Sequence, residues 1–135
     1  MKNKFFSSEV IGKGITRITG AGKELMYLIE GNSKAALVDT GIGVGNIKEY
    51  VESLTNQPII VLLTHAHIDH SAGAFWFQDD VYLNEHDAKL LDLEFNDNEI
   101  QLMHEDMREF VAADLLSLDL QSEDFVKPYR KKFLP

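Results

Sequence analysis

Residues 64–70 read Thr-His-Ala-His-Ile-Asp-His, which places three of the chain's five histidines and one aspartate within six positions. They follow directly on the apolar run Ile-Ile-Val-Leu-Leu at 59–63. A short continuous apolar run with β-branched members, opened by Pro58, predicts a buried central strand. Ligand sites of α/β sheets lie beyond the C-terminal ends of strands, and the histidines occupy that position. Neutral imidazole and carboxylate are good ligands for zinc and similar divalent ions. In an extended segment the side chains alternate, so His65, His67 and Asp69 would share one face. His70 would point away unless the chain turns helical there, and Ser-Ala-Gly-Ala-Phe at 71–75 permits a tight turn. The plain alternative is a polar surface loop with chance histidines; ligand chemistry, spacing and the preceding strand all argue against it.

The flanking sequence supplies an α/β context. The apolar runs in 24–30 and 34–39 are separated by Gly-Asn-Ser and predict a hairpin over 24–39. Gly-Ile-Gly-Val-Gly-Asn at 41–46 reads as a flexible corner. Ile47, Tyr50, Val51 and Leu54 recur at helical spacing and predict an amphipathic helix of roughly three turns. A helix between two strands makes the strand at 59–63 parallel to its neighbour. Val81, Tyr82 and Leu83 predict a further short strand. A helix follows near Asn84, where Asn84 and Asp87 resemble a capping pair. Ile100, Met103, Met107, Phe110 and Val111 predict a helix with one apolar face, an excursion over about 94–120. Repeats and low-complexity segments are absent, so residues 1–135 read as a single domain.

Composition narrows the function. A formal net charge of −9 excludes a reader of the nucleic-acid phosphate backbone and disfavours an anionic membrane surface. With no cysteine there is neither a disulfide nor a thiolate ligand. The N-terminus has no apolar stretch of signal-peptide length, and no run approaches a membrane span. These observations predict a cytoplasmic protein with a small-molecule substrate and neither nucleic acid nor membrane as partner. The glycines at 41–45 lack the third glycine of a dinucleotide fingerprint at its offset, and no acidic residue ends the following strand.

The stretch at 64–70 matches the pattern H-x-H-x-D-H, and the surroundings match too: Leu-Val-Asp-Thr-Gly at 37–41, a helix, an apolar strand, then a loop containing Gly73. In these features residues 15–91 resemble the metallo-β-lactamase superfamily, near its glyoxalase II-like members. The resemblance implies an α/β (α+β) fold, an αββα sandwich of two similar halves. It implies that His65 and His67 hold one ion, that Asp69 and His70 hold a second, and that Asp69 orients the catalytic water. It implies a zinc-dependent hydrolase in which metal-bound hydroxide attacks an ester, thioester, lactone or similar bond. One or two zinc ions are expected, with iron or manganese as other options. The diiron branch carries glutamate where this chain has His67, which favours zinc. Asp39 matches a supporting aspartate of the family, whose expected role is to orient a ligand; an ordinary turn aspartate bonding its neighbouring backbone is the other reading.

The chain departs from the pattern after His70. Only His86 and His104 remain, neither in a Gly-His-Thr-like stretch, and the family's bridging aspartate and final histidine have no counterpart. The expectation is therefore the N-terminal half of such a domain. Its uncovered sheet face would be apolar and would take a second copy or a complementary C-terminal half as partner. The alternative to a working hydrolase is a catalytically inactive fragment, or one half of a split or oligomeric assembly, that binds metal weakly or not at all.

Overall fold

The computed structural model describes residues 5–77 and 80–88, apart from the side chains of Ile68 and Phe75. The excursion predicted at about 94–120, with His104 and the methionine stripe, lies outside the described residues.

Six strands form one mixed sheet in sequential order: β1 (Ser7–Gly12), β2 (Ile15–Thr19), β3 (Leu25–Glu30), β4 (Ala35–Val38), β5 (Ile59–Leu62) and β6 (Val81–Tyr82). The first four form an antiparallel meander, while β5 runs parallel to β4 and β6 parallel to β5. Helix α1 (Ile47–Leu54) makes the β4–β5 crossover that parallel pairing requires. A short helix α2 (Ile68–Ser71) and a 3₁₀ turn (Ala72–Trp76) lead from β5 to β6. The hairpin predicted over 24–39 is β3–β4, and the apolar run at 59–63 supplies β5. The predicted helix has eight residues, nearer two turns than three. Asn46 caps it by accepting the Glu49 amide, so the helix begins only after the glycine corner. Strands β1 and β2 were not foreseen. Ile-Thr-Arg-Ile-Thr at β2 does alternate, with Thr16 and Ile18 buried, but five residues give a weak signal.

Period-two geometry sorts the sheet into two faces. On one face Ile18, Met26, Leu28, Ala35, Leu37 and Val61 pack beneath Ile47 and Val51 of α1, and all eight are essentially inaccessible. The opposite face carries two rows defined by strand register. Ile15, Ile29, Ala36 and Ile60 form one, and Arg17, Tyr27, Val38, Leu62 and Tyr82 form the other. All but Arg17 are apolar or aromatic, and Ile29, Leu62 and Tyr82 stay 39–42% exposed. The run at 59–63, read as a buried central strand, is central in the sheet as β5, and only its α1 side is enclosed among the described residues. A face of this composition fits one half of a two-sheet sandwich.

The 3₁₀ turn approaches the end of β4 so closely that only glycine fits at position 73. A Cβ there would collide with the Thr40 carbonyl oxygen and lie 3.1 Å from Ile47 Cγ2. Gly73→Ala is expected to lower the unfolding free energy by about 1–3 kcal/mol through overpacking. Urea denaturation of the full chain checks this, and an unchanged midpoint would contradict the packing.

Candidate metal centre

Asp39 follows β4 directly and is 6% exposed, with φ +65, in the left-handed region. A non-glycine residue is held in that region only when its surroundings over-determine it. Its amide donates to the Leu62 carbonyl at 3.0 Å, which joins the ends of β4 and β5. Its Oδ1 accepts the Thr64 amide at 2.8 Å, and Thr64 Oγ1 lies 3.0 and 2.9 Å from its two oxygens. His70 Nδ1 lies 3.1 Å from Oδ2.

These contacts assign the imidazole protons. A carboxylate only accepts, so His70 carries its proton on Nδ1. Thr64 has one hydroxyl proton, and the carboxylate takes it. The Thr64 oxygen, 2.7 Å from His65 Nδ1, is then an acceptor, so His65 also holds its proton on Nδ1. In both rings the Nε2 lone pair is left for a ligand. One buried carboxylate therefore sets two tautomers, directly for His70 and through Thr64 for His65.

The backbone of the histidine loop is fixed as tightly. The Ala66 amide, between His65 and His67, donates to Asp87 Oδ2 at 3.2 Å, and the Ala66 carbonyl accepts from Ser71 Oγ at 3.0 Å. The His67 carbonyl accepts the amides of His70 and Ser71 at 2.9 and 3.0 Å, which opens α2. The period-two arrangement expected for 65, 67 and 69 thus stops at His67. The helical turn carries His70 back toward His65, with ring centroids 4.4 Å apart, while His65 and His67 are 4.7 Å apart. Asp87 does not reach back to cap its own helix. Asn84 does the capping, accepting the His86 amide at 2.9 Å, and His86 is exposed at that helix start.

Among the described residues, Asp39, His65 and His70 each bring one potential ligand atom within 4.8 Å of the others. Both Asp39 oxygens are already engaged, however, so its part is to hold the rings. His67 is exposed, His65 and His70 are half-buried, and the Asp69 side chain is 50% exposed. His70 Nε2 and Asp69 Oδ2 stand 3.4 Å apart. Two ligands of a tetrahedral zinc, bonded at about 2.0–2.1 Å, lie roughly 3.3 Å apart. Imidazole and carboxylate donors, and the spacing of the Asp69–His70 pair, suit a divalent ion, while the group of ligand atoms within 4.8 Å of one another includes neither His67 nor Asp69.

Glu24, just ahead of β3, was not foreseen as part of this region. Its Oε2 accepts the Ile42 amide at 2.7 Å and its Oε1 the Gly22 amide at 3.0 Å. Burial pushes its carboxyl above the usual carboxylate value; the Ile42 and Gly22 amides oppose that rise, and the charge of Asp69 adds to it. The corner that Glu24 holds, residues 41–45, is buried throughout, with positive φ at Gly41, Gly43 and Gly45. The expectation of a flexible corner is overturned by this burial and this anchor.

The Lactamase_B family model, the metallo-beta-lactamase superfamily, matches residues 19–102. The human acyl-coenzyme A thioesterase MBLAC2 is 25% identical over 91 residues, covering 55% of this chain and 33% of that protein; the Bos taurus protein is 24% identical over the same share. The chain thus spans about a third of the length of the curated relatives it matches. A metallo-beta-lactamase of Erythrobacter litoralis superposes with TM-score 0.58 at 17% identity, over 70% of this chain and 48% of that one. The metallo-beta-lactamase FIM-1 of Pseudomonas aeruginosa, solved in its mono-zinc form, gives 0.56 at 18% identity, over 69% and 48%.

The raised carboxyl of Glu24 has a pH consequence of definite sign. The folded state holds this proton more tightly than the unfolded chain, so its contribution to stability falls as pH rises from 4.5 through the folded value and is then constant. Urea denaturation from pH 4 to 7 should show the unfolding free energy of wild type declining relative to Glu24→Gln as pH rises. A difference that is flat, or that moves the other way, would contradict the burial of this group.

Proposed function

The chain belongs to the metallo-beta-lactamase superfamily, and on that premise we propose that it is the ligand-bearing half of a zinc-dependent hydrolase domain acting on a thioester or related acyl bond. The observation that carries this reading is the pair of imidazoles, His65 and His70, whose Nδ1 atoms are both engaged by the Asp39–Thr64 hub while His70 Nε2 faces the Asp69 carboxylate. His65, His67, Asp69 and His70 are the proposed ligands. When bound, the ion supplies Lewis acidity, which lowers the pKa of water and polarises an acyl oxygen. The chain's own residues do the rest. Asp39 fixes the direction of His70, and Thr64 that of His65. Asp69, with its carboxylate half in solvent, orients the attacking water and takes its proton. The thioester preference rests on the acyl-coenzyme A thioesterases that this chain resembles over part of their length.

The open sheet face favours a second reading of how the site is used. Two apolar rows running from Ile15 to Tyr82 favour assembly with a second sheet, carried by a complementary half or a second copy, before turnover is possible. In that case the isolated chain binds the ion but hydrolyses slowly.

The full chain, titrated with zinc and with cobalt, should bind one or two ions, and a strong chelator should remove both the metal and any acyl-CoA hydrolysis. His65→Ala and His67→Ala should abolish binding. Asp39→Asn should weaken it about 10–100-fold, the usual cost of losing an orienting partner. His86→Ala should leave it intact. Equal metal retention in all four variants would remove the ligand assignment. Metal binding without thioester, ester or lactone hydrolysis would leave the site and favour the assembled form, which molecular mass in solution then tests.

A further inference from the structure

We infer that Glu24 is a positioning residue of the metal centre, a half-buried carboxylate that holds His70 in place through the glycine corner; this rests on the metal-site reading above. Glu24 lies 45 positions before Asp69 along the chain, in the β2–β3 turn, and its carboxylate bonds the Gly22 and Ile42 amides rather than a proposed ligand. Its two oxygens join two loops that the sheet alone leaves unconnected. Oε1 closes its own turn on the Gly22 amide, and Oε2 takes the Ile42 amide from the corner after β4.

That corner is the other support of His70. The His70 carbonyl accepts the Thr40 amide at 2.8 Å and Thr40 Oγ1 at 3.0 Å, and Gly41 pairs with Ser71 in a parallel bridge. The path from carboxylate to imidazole is short: a hydrogen bond to Ile42, the backbone of Ile42, Gly41 and Thr40, then the contacts of Thr40 and Gly41 with residues 70 and 71. Asp39 holds the ring of His70, and Glu24 holds the peptide to which that ring is attached. Space has been made for this contact. At Gly41, with φ +78, a Cβ would stand 2.8 Å from Glu24 Oε2 and 3.3 Å from Met26 Sδ.

A purely structural anchor would be replaceable by apolar packing at small cost, since a buried carboxylate is expensive to desolvate. Glu24 is half-buried and acts as a double acceptor, facing the Ile42 and Gly22 amides. Glutamine retains one acceptor oxygen and turns an NH₂ toward the second amide, so it preserves half of the clamp. Alanine removes all of it.

The test uses the full chain with Glu24→Ala, Glu24→Gln and Thr55→Ala. Thr55 loses an equally internal hydrogen bond, to Glu30 Oε2 at 3.0 Å, just ahead of β5 at the far end of the sheet. Cobalt affinity is expected to fall at least tenfold in Glu24→Ala, to fall less in Glu24→Gln, and to stay within twofold of wild type in Thr55→Ala. A second readout needs no metal: the imidazole ¹H–¹⁵N spectrum of the metal-free protein, assigned with His70→Gln. Wild type should show His70 as a single Nδ1–H tautomer, and the Glu24 variants a mixture. Wild-type cobalt affinity with an unchanged His70 tautomer in Glu24→Ala would overturn the inference, as would an equal loss in Thr55→Ala. If Glu24→Ala does not fold, the same two readouts on Glu24→Gln decide. If wild type itself binds no cobalt, the metal-site reading fails by itself, and the tautomer spectrum still decides whether Glu24 holds His70.

Discussion

The geometry of this molecule turns on one buried carboxylate. Asp39 sits where two parallel strands end, and it collects the Thr64 amide, the Thr64 hydroxyl and His70 Nδ1. Charge-assisted hydrogen bonds in a partly desolvated place are strong and directional. A buried carboxylate left unpaired would be costly, so these donors are held to it as firmly as it is held to them. The strained backbone at Asp39 belongs to the same arrangement. An extended residue there would carry the chain straight on from β4, whereas the left-handed turn aims the carboxylate across the strand ends to Thr64.

Around that hub the histidine loop is over-determined. Asp87 and Ser71 hold the two sides of the Ala66 peptide, and Thr40 holds the carbonyl of His70. Gly73 lets the following turn settle against β4, and Glu24 closes the corner behind it. Preorganisation of this kind holds the His65 and His70 rings without help from a bound ion, and it reduces the ordering that binding a ligand would otherwise require. The supporting residues come from five separate parts of the chain.

The sheet has an unequal economy of burial. Its α1 side is closed by a compact apolar cluster, while the other side presents two registered rows of Ile, Val, Leu and Tyr to solvent among the described residues. The chain aligns with about half the length of the solved structures it resembles, the amount expected for one sheet of a two-sheet sandwich.

Several features were legible in the sequence by itself. The imidazole cluster after an apolar strand stated both a chemistry and a place, because ligand types and strand-end position are local properties. The β3–β4 hairpin, α1 and the parallel β5 followed from periodicity, since a two- or 3.6-residue repeat needs no knowledge of distant residues. Other features had no local signal. The tautomers of His65 and His70 depend on a carboxylate 26 or more positions upstream, and Glu24 matters only because folding brings the β2–β3 turn against residues 41–42. Asp87 reads as a helix cap until the Ala66 amide is seen beside it. Sequence thus determined which groups could bind a cation and roughly where they lie. Tertiary structure decided which atoms of those groups face one another, because hydrogen-bond direction and desolvation are set by neighbours far along the chain.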